Sequence, residues 1–337
     1  MGWIGKRVIK LQKTSITIVI PIYEGAEFID ELLEAIKIQS VKAEEIIFVV
    51  SKIGDTEETE RKLNSHQLKH LRYKLIDPSY PGKARNIGVE ISKSEWIAFL
   101  DQSTLPSEEW LESLIKASDN GRYKFVGGLR TCLADTRYKK ILKASTYGNA
   151  SAKSLAGSLV SREIFISSKG FLPNVRAGED WEWINRIHES EVIWLKKPFI
   201  IYSGLSSSLL EAVKKWFRYS FENSKVDIIY AQKFFYFLIL IILILYFAYS
   251  WNFVFTNNQW DKSPYFIPHL NKIVWGVSLF LYLLYRGLIR PLAYKEKLNY
   301  LLPLNWILVG LNGFILDITK APGRLVGFIN YYLKKIT

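Results

Sequence analysis

Pro81-Gly-Lys-Ala-Arg-Asn-Ile-Gly88, followed closely by Trp96-Ile-Ala-Phe-Leu-Asp-Gln-Ser103, decides the fold of this chain. The first segment predicts a helix that begins at a Pro-Gly turn, where the free backbone N–H groups, helped by Lys83 and Arg85, suit a diphosphate. The second predicts an apolar strand that ends at Asp101. Because open parallel α/β sheets bind ligands at the carboxyl ends of their strands, both segments predict one binding site at that edge.

The residues around these two segments alternate short apolar runs with amphipathic stretches, which is typical of a doubly wound α/β domain. The predicted strands are Ile16–Ile20, Ile46–Val50, Arg72–Ile76, Trp96–Leu100, Tyr123–Arg130 and Leu155–Ser161. The predicted helices are Glu24–Gln39, Thr56–Lys69, one that starts at Pro81, and one around Trp110 and Leu114 with Ser107 as its N-cap. We expect this mostly parallel α/β domain to cover residues 1–205.

Composition and charge indicate a polyanionic partner. The chain has 337 residues, of which 49% are hydrophobic, and a formal net charge of +13. Long uncharged runs accompany the basic residues and no nucleic-acid motif is present, so membrane lipids are the expected partner and nucleic acid is not. A single cysteine, Cys132, excludes an intramolecular disulfide.

The C-terminal part changes character. An amphipathic interfacial helix is expected over residues 206–232 and a membrane domain over residues 233–337. Transmembrane spans are predicted at about 234–253 and 273–292, since about 20 apolar residues cross the hydrocarbon. A third apolar segment, 298–316, is interrupted by proline, glycine and asparagine, so it is expected to be re-entrant, interfacial or spanning.

Basic residues after the second predicted span indicate its orientation. Arg286 is placed to snorkel to the interface, and it is followed by Arg290, Lys295 and Lys297. By the positive-inside rule this side is cytoplasmic. We therefore expect a protein of the cell's inner (plasma) membrane whose N-terminal domain faces the cytoplasm.

Four motifs carry a resemblance to a known family. In order and spacing they resemble the inverting family 2 glycosyltransferases of the GT-A fold, and the resemblance covers about the first 200 residues. The motifs are Ile18-Val-Ile-Pro-Ile-Tyr23, Gly82-Lys-Ala-Arg-Asn-Ile-Gly88, Phe99-Leu-Asp101 and Gly178-Glu-Asp-Trp181. With the C-terminal part, they look like membrane-anchored bacterial members. The resemblance implies transfer of a sugar from a nucleotide-diphosphate donor to a lipid-linked or membrane-proximal glycan acceptor.

The resemblance also implies roles for particular residues. Asp180 matches the catalytic base and is preceded by Glu179, while Trp181 and Trp183 are available to stack on acceptor sugar rings. Asp101 would hold Mg²⁺ or Mn²⁺ together with the donor. The expected donor-binding residues are Pro21, Tyr23, Ser51, Lys83, Arg85, Asn86, Asp101 and Ser103.

Departures from the family pattern leave alternatives open. Ser51 stands where many members have a base-reading aspartate, with Asp55 as a displaced substitute, and the Asp-x-Asp motif is reduced to Asp101-Gln-Ser103. Donor identity and metal dependence therefore stay open. So do two other functions, a polyprenyl-phosphate glycosyltransferase that needs no strong base and a non-catalytic scaffold that binds nucleotide or lipid.

Overall fold

The computed structural model describes residues 15–66, 68, 70–224, 226, 238, 241 and 270–336. The chain divides into two compact units. The first comprises Met1–Arg130, Ala152–Asn174 and Trp183–Tyr202, and the second Thr131–Ser151, Val175–Glu182 and Ser203–Thr337.

A mixed sheet forms the centre of the first unit. The order of its strands is β3-β2-β1-β4-β7-β6-β9-β5, and β8 pairs with β6. Strands β3, β2, β1 and β4 are parallel, whereas β7 runs antiparallel to β4 and β6. The bounds are β1 Ile16–Ile22, β2 Glu45–Ser51, β3 Leu71–Ile76, β4 Trp96–Phe99, β5 Thr104–Pro106, β6 Phe125–Cys132, β7 Ala152–Ser161, β8 Val192–Trp194 and β9 Ile200–Tyr202. The predicted α/β class is confirmed.

The first four helices of the N-terminal part occur where the sequence pattern predicts helices. The helices of this part are α1 Ile29–Lys37, α2 Thr56–Ser65, α3 Pro81–Ile91, α4 Trp110–Ala117, α5 Arg137–Thr146, α6 Arg162–Ser167 and α7 Glu179–Ile184. The first helix starts later than predicted, because Glu24 has a φ of 48° and a 3₁₀ turn over Ala26–Phe28 precedes α1. Ser107 is not the N-cap of α4; that position is Glu109, without a side-chain bond.

Alternation along β1 builds a core on both faces of the sheet. Ile18 and Ile20 join one buried cluster and Val19 joins another, as expected when successive side chains point to opposite faces. Pro21 does not end β1 as predicted. It lies opposite Val49 of β2, and β1 pairs with β4 only as far as Val19, so the proline ring removes no donor that β4 needs.

In the second unit, the described residues after Tyr202 form mainly helices. They are α8 Leu209–Asn223, α9 Leu270–Leu284, a π-helical turn over Tyr285–Ile289, α10 Arg290–Ala293, α11 Leu298–Leu301 and α12 Asn305–Ile336. Helix α12 packs along α8 and α5. The predicted interfacial helix is represented by α8, which Ser208 caps by accepting a hydrogen bond from the Glu211 N–H.

The predicted membrane spans have different outcomes. The span at about 234–253 falls almost wholly outside the described residues, and the one at about 273–292 corresponds to α9, the π-helical turn and α10. Within the described ranges, no helix is both long and apolar enough to cross a membrane. Segment 298–316 forms α11 and the start of α12, a helix of 32 residues.

Close helix packing accounts for the polar and small residues of that third segment. A Cβ on Gly310 would lie 2.8 Å from the carbonyl oxygen of Leu283 in α9. Asn312 is buried and donates to the Ser145 hydroxyl of α5 at 2.7 Å. Arg286 does not snorkel, because its side chain is 3% exposed and its Nε lies 2.8 Å from Asp317 Oδ2. Gly310 and Asn312 are therefore contact points between helices.

Candidate functional site

The N-terminus of α3 opens at the predicted Pro-Gly turn. Pro81 occupies the first helical position after an extended Tyr80, and the first helical bond runs from the Ala84 N–H to the Tyr80 carbonyl at 3.1 Å. The N–H groups of Gly82 and Lys83 precede that bond, so they point out of the helix end, where an anion is favoured. Lys83 itself is exposed.

The buried guanidinium of Arg85 contacts the carboxylate at the end of β4. Its Nη2 lies 2.6 Å from Asp101 Oδ1, with side chains 7% and 38% exposed respectively. The guanidinium carbon also lies 5.7 Å from the ring centre of Phe171. The Thr104 hydroxyl holds the backbone of Asp101, accepting from its N–H at 3.0 Å and donating to its carbonyl at 2.6 Å. The structure thus pairs the predicted phosphate ligand with the predicted metal ligand.

Gln102 clamps the loop that follows β1. Its Oε1 accepts the Tyr23 N–H at 2.8 Å, and its Nε2 donates to the carbonyls of Tyr23 at 3.1 Å and Glu24 at 3.4 Å. A Cβ on Gly25 would lie 2.5 Å from the same amide. Sequence reasoning missed this residue. One signal in the sequence could have indicated this role. The Gln102 side chain can both donate and accept hydrogen bonds, and it lies directly after the strand that ends at Asp101.

Asp55 supports the same loop from the other side. Its Oδ2 accepts the Ala26 N–H at 2.8 Å. Ser51 is buried as the last residue of β2. Beyond it lies an open groove of about 660 Å³, lined by residues 52–58, Glu60 and Leu75. The groove follows β2, where the nucleobase of a donor was expected.

Two predicted ligands have structural roles instead. The Asn86 side chain donates to the Phe171 carbonyl at 2.8 Å and accepts the Phe171 N–H at 2.9 Å, so both ends of its amide tie α3 to that residue. Trp183 is completely buried, packs edge-on against Phe171 with ring centres 4.9 Å apart, and donates its indole N–H to Ser168 at 2.8 Å. The predicted sugar-stacking role does not fit Trp183, because neither face of its ring is exposed.

The predicted catalytic residues lie at the start of α7, in the part of the chain assigned to the second unit. Gly178, with a φ of 90°, allows the chain to turn into this helix. Glu179 is buried, and Asp180 is half-buried with Oδ1 accepting the N–H of Trp181 at 2.8 Å. Trp181 is 37% exposed, so its ring offers a surface to a ligand.

The donor set at the end of β4 does not fit a divalent cation. Asp101 is the one carboxylate of the Asp101-Gln-Ser103 motif, and Arg85 occupies one of its oxygens. The carbonyl oxygen of the Gln102 side chain, another possible ligand, accepts the Tyr23 N–H. No group of three His, Cys, Asp or Glu that would hold a metal ion occurs in the part of the chain that the structure describes. Asp101 therefore takes part in a salt bridge with Arg85.

Comparisons with known proteins find similarity to glycosyltransferases. Residues 17–165 match the family model described as Glycosyl transferase family 2. Glycosyltransferase GlyG of Streptococcus pneumoniae is 22% identical over 222 residues, covering 58% of this chain and 72% of that protein. Glycosyltransferase AglE of Haloferax volcanii is 25% identical over 215 residues, covering 60% and 71%.

Among solved structures, the chain is similar to the mannosyltransferase PcManGT from Pyrobaculum calidifontis in complex with GDP-Man and Mn²⁺. The TM-score is 0.47 and the identity 16%, over 63% of this chain and 64% of that one. The family model covers fewer than half of the residues of this chain.

Proposed function

We propose that this chain, whose residues 17–165 match the glycosyltransferase family 2 model, is a membrane-anchored inverting glycosyltransferase. It transfers a sugar from a nucleotide-diphosphate donor to a lipid-linked or membrane-proximal glycan acceptor. The observation that carries the proposal is the meeting of the α3 N-terminus, Arg85 and Asp101 at the carboxyl edge of parallel strands. The names of GlyG and AglE support the reaction class.

In this proposal the N-terminus of α3 binds the leaving nucleoside diphosphate. Glycosyl transfer needs stabilisation of the negative charge that builds up on the departing nucleoside diphosphate. The N–H groups of Gly82 and Lys83, the ammonium of Lys83 and the guanidinium of Arg85 supply it. Because these groups belong to one helix, packed against β1 and β2, their positions need little adjustment when the donor binds.

Asp180 is the proposed base. The acceptor hydroxyl oxygen attacks the anomeric carbon from the face opposite the diphosphate while the bond to the diphosphate breaks. The hydroxyl proton passes to the Asp180 carboxylate, and the product has the inverted configuration. Trp181, next to the base and 37% exposed, is the proposed platform for the acceptor ring.

Exposed apolar side chains in the second unit support the membrane-proximal acceptor. Six of them recur at helical spacing along one stretch and are each between 49% and 56% exposed: Ile273, Val277, Phe280, Leu281, Tyr285 and Ile289. Exposed apolar side chains that recur along one stretch are typical of an interaction site. We propose that lipid covers it at the cytoplasmic face of the cell's inner (plasma) membrane.

Transfer assays test the proposed function. The purified full chain, in vesicles containing phosphatidylglycerol, is incubated with UDP-, GDP- and dTDP-sugars, and donor cleavage and product configuration are measured. Asp180→Asn should keep donor affinity while turnover falls about 100-fold or more, because the variant lacks the basic oxygen. Glu182→Gln, the same change of charge in the same helix, is the control and should stay active.

The assays also separate the open alternatives. Unchanged turnover in Asp180→Asn would favour a polyprenyl-phosphate acceptor, whose phosphate is already ionised. Nucleotide binding without turnover for any donor would favour the scaffold. For the membrane, Phe280→Glu should weaken sedimentation with vesicles, whereas Ile166→Glu, at an exposed apolar residue of the first unit, should not.

A further inference from the structure

The cation at the donor site is an arginine. We propose that this protein binds its nucleotide donor without a divalent metal ion, and that Arg85 provides at Asp101 the positive charge that a metal would provide. The inference rests on the proposed function, since it concerns how the same donor is held. It departs from the Mg²⁺ or Mn²⁺ expected from the family resemblance.

Arg85 is held in place by its surroundings. Its side chain is 7% exposed, it bonds Asp101 at 2.6 Å, and the face of Phe171 lies 5.7 Å from its guanidinium carbon. Phe171 is itself fixed, because Asn86 bonds both its N–H and its carbonyl. A charge-assisted bond in such a partly buried place is stronger than a surface ion pair, so the guanidinium is not free to yield Asp101 to a metal ion.

The Gln102 side chain and the Asp101 backbone are also held by hydrogen bonds. Gln102 is turned toward Tyr23 and Glu24, and the backbone of Asp101 is bonded to Thr104. A divalent ion would therefore find one carboxylate that already has a cationic partner. Mg²⁺ bound through a single carboxylate takes its other ligands from phosphates and waters, and Lys83 and Arg85 compete with it for those phosphates.

The charge arrangement suits a diphosphate without an ion. Lys83 and Arg85 lie two residues apart at the start of α3, where the helix dipole adds a positive partial charge. A planar guanidinium carries five N–H donors, and in Arg85 one of them bonds the Asp101 carboxylate. The carboxylate then orients the guanidinium, and the guanidinium and the ammonium bind the phosphates.

Equilibrium binding tests the proposal without any need for turnover. Affinities of the full chain in detergent are measured by calorimetry for UDP, GDP and dTDP, in EDTA and again in Mg²⁺ or Mn²⁺. We expect the best-bound nucleotide to lose less than about threefold in affinity on chelation. Arg85→Ala should weaken it by about 10- to 100-fold in EDTA, the effect of losing one charge-assisted hydrogen bond.

Two further variants make the outcome decisive. Arg85→Lys keeps the charge but not the planar pair of donors, and it should retain part of the affinity even if Arg85→Ala folds poorly. Lys93→Ala removes an exposed charge just beyond the other end of α3 and should bind as the parent does.

Affinity that falls tenfold or more in EDTA and returns with Mn²⁺ would overturn the proposal and leave the proposed function standing. Tight Mn²⁺ binding to the nucleotide-free chain, measured by electron paramagnetic resonance, would overturn it as well. Absence of nucleotide binding both with and without metal would instead refute the proposed function.

Discussion

Replacing Gln102 by alanine should release the loop that follows β1. The change removes bonds of 2.8 and 3.1 Å to the backbone of Tyr23 and a weaker one of 3.4 Å to Glu24. The two shorter bonds are each worth about 1 kcal/mol net, and the third is near the distance limit and adds little. We therefore expect the loop to open more easily by about 2 kcal/mol, a shift of roughly 30-fold in its local opening equilibrium.

Glu24 allows a second test of the free energy with which Gln102 holds the loop. Its φ of 48° is a conformation that few residues other than glycine and asparagine adopt readily, so the clamp holds the chain in it. Glu24→Gly in the Gln102→Ala background should recover about 0.5–1 kcal/mol. Gln102→Glu keeps the oxygen that accepts from Tyr23 but turns a second oxygen toward two carbonyls, and should open the loop at least as much as alanine.

Native-state hydrogen exchange, read by mass spectrometry on peptides covering residues 21–28, measures the opening directly. Peptides from β7 should be unaffected and serve as an internal control, and Lys116→Ala, at the surface of α4, is the control variant. Nucleotide affinity should fall together with protection if the loop belongs to the donor site. Unchanged exchange in Gln102→Ala, within about 0.3 kcal/mol, would refute the clamp.

Three other changes test the packing around the site. Gly88→Ala places a Cβ against the Val19 side chain and should displace α3. The free energy of unfolding, measured by thermal denaturation, should fall by about 1–3 kcal/mol, and nucleotide binding should weaken. Full nucleotide affinity in this variant would contradict the close packing. Asn312→Ala breaks the buried link to α5 and should cost about 1–3 kcal/mol by the same assay, with no change in nucleotide affinity. The pKa of Asp30 is lowered, mainly by the hydrogen bond from Lys62. Because Asp30 itself is exposed, Asp30→Asn should lower the free energy of unfolding by only a few tenths of a kcal/mol at neutral pH. That difference should disappear as the pH falls through the lowered pKa, which urea midpoints at neutral and acidic pH will show.

Local rules predicted the framework of the first unit. The apolar run around Val19 needs burial on both faces, and the turn at Pro81 presets the first helical position, so each element forms for reasons contained within a few residues. The same rules placed the α3 N-terminus and Asp101 at one edge of the sheet. They did not foresee that Pro21 remains inside β1, because that depends on where β4 stops pairing.

In the C-terminal helices, the sequence pattern did not identify the partners of the polar residues. Composition along Leu298–Leu316 indicated an interrupted apolar segment, and Arg286 was an isolated charge within an apolar run. In the folded chain Arg286 pairs with Asp317, and Asn312 meets Ser145 across 167 residues. The partner of a polar residue in an apolar stretch decides whether that residue faces lipid, water or another helix. Hydropathy along the sequence does not identify this partner.

Partners distant in sequence also decided the details of the site. The bond from Tyr23 to Gln102 joins residues 79 apart and the bond from Ala26 to Asp55 residues 29 apart, so both depend on which strands lie side by side and in what register. Arg85 and Asp101 were each predicted as ligands, of phosphate and of metal, but not as partners of one another. A motif determines which chemical groups reach the edge of the sheet. Packing determines whether those groups face a ligand or each other, because a buried charge or amide must bond to whatever the fold brings within about 3 Å.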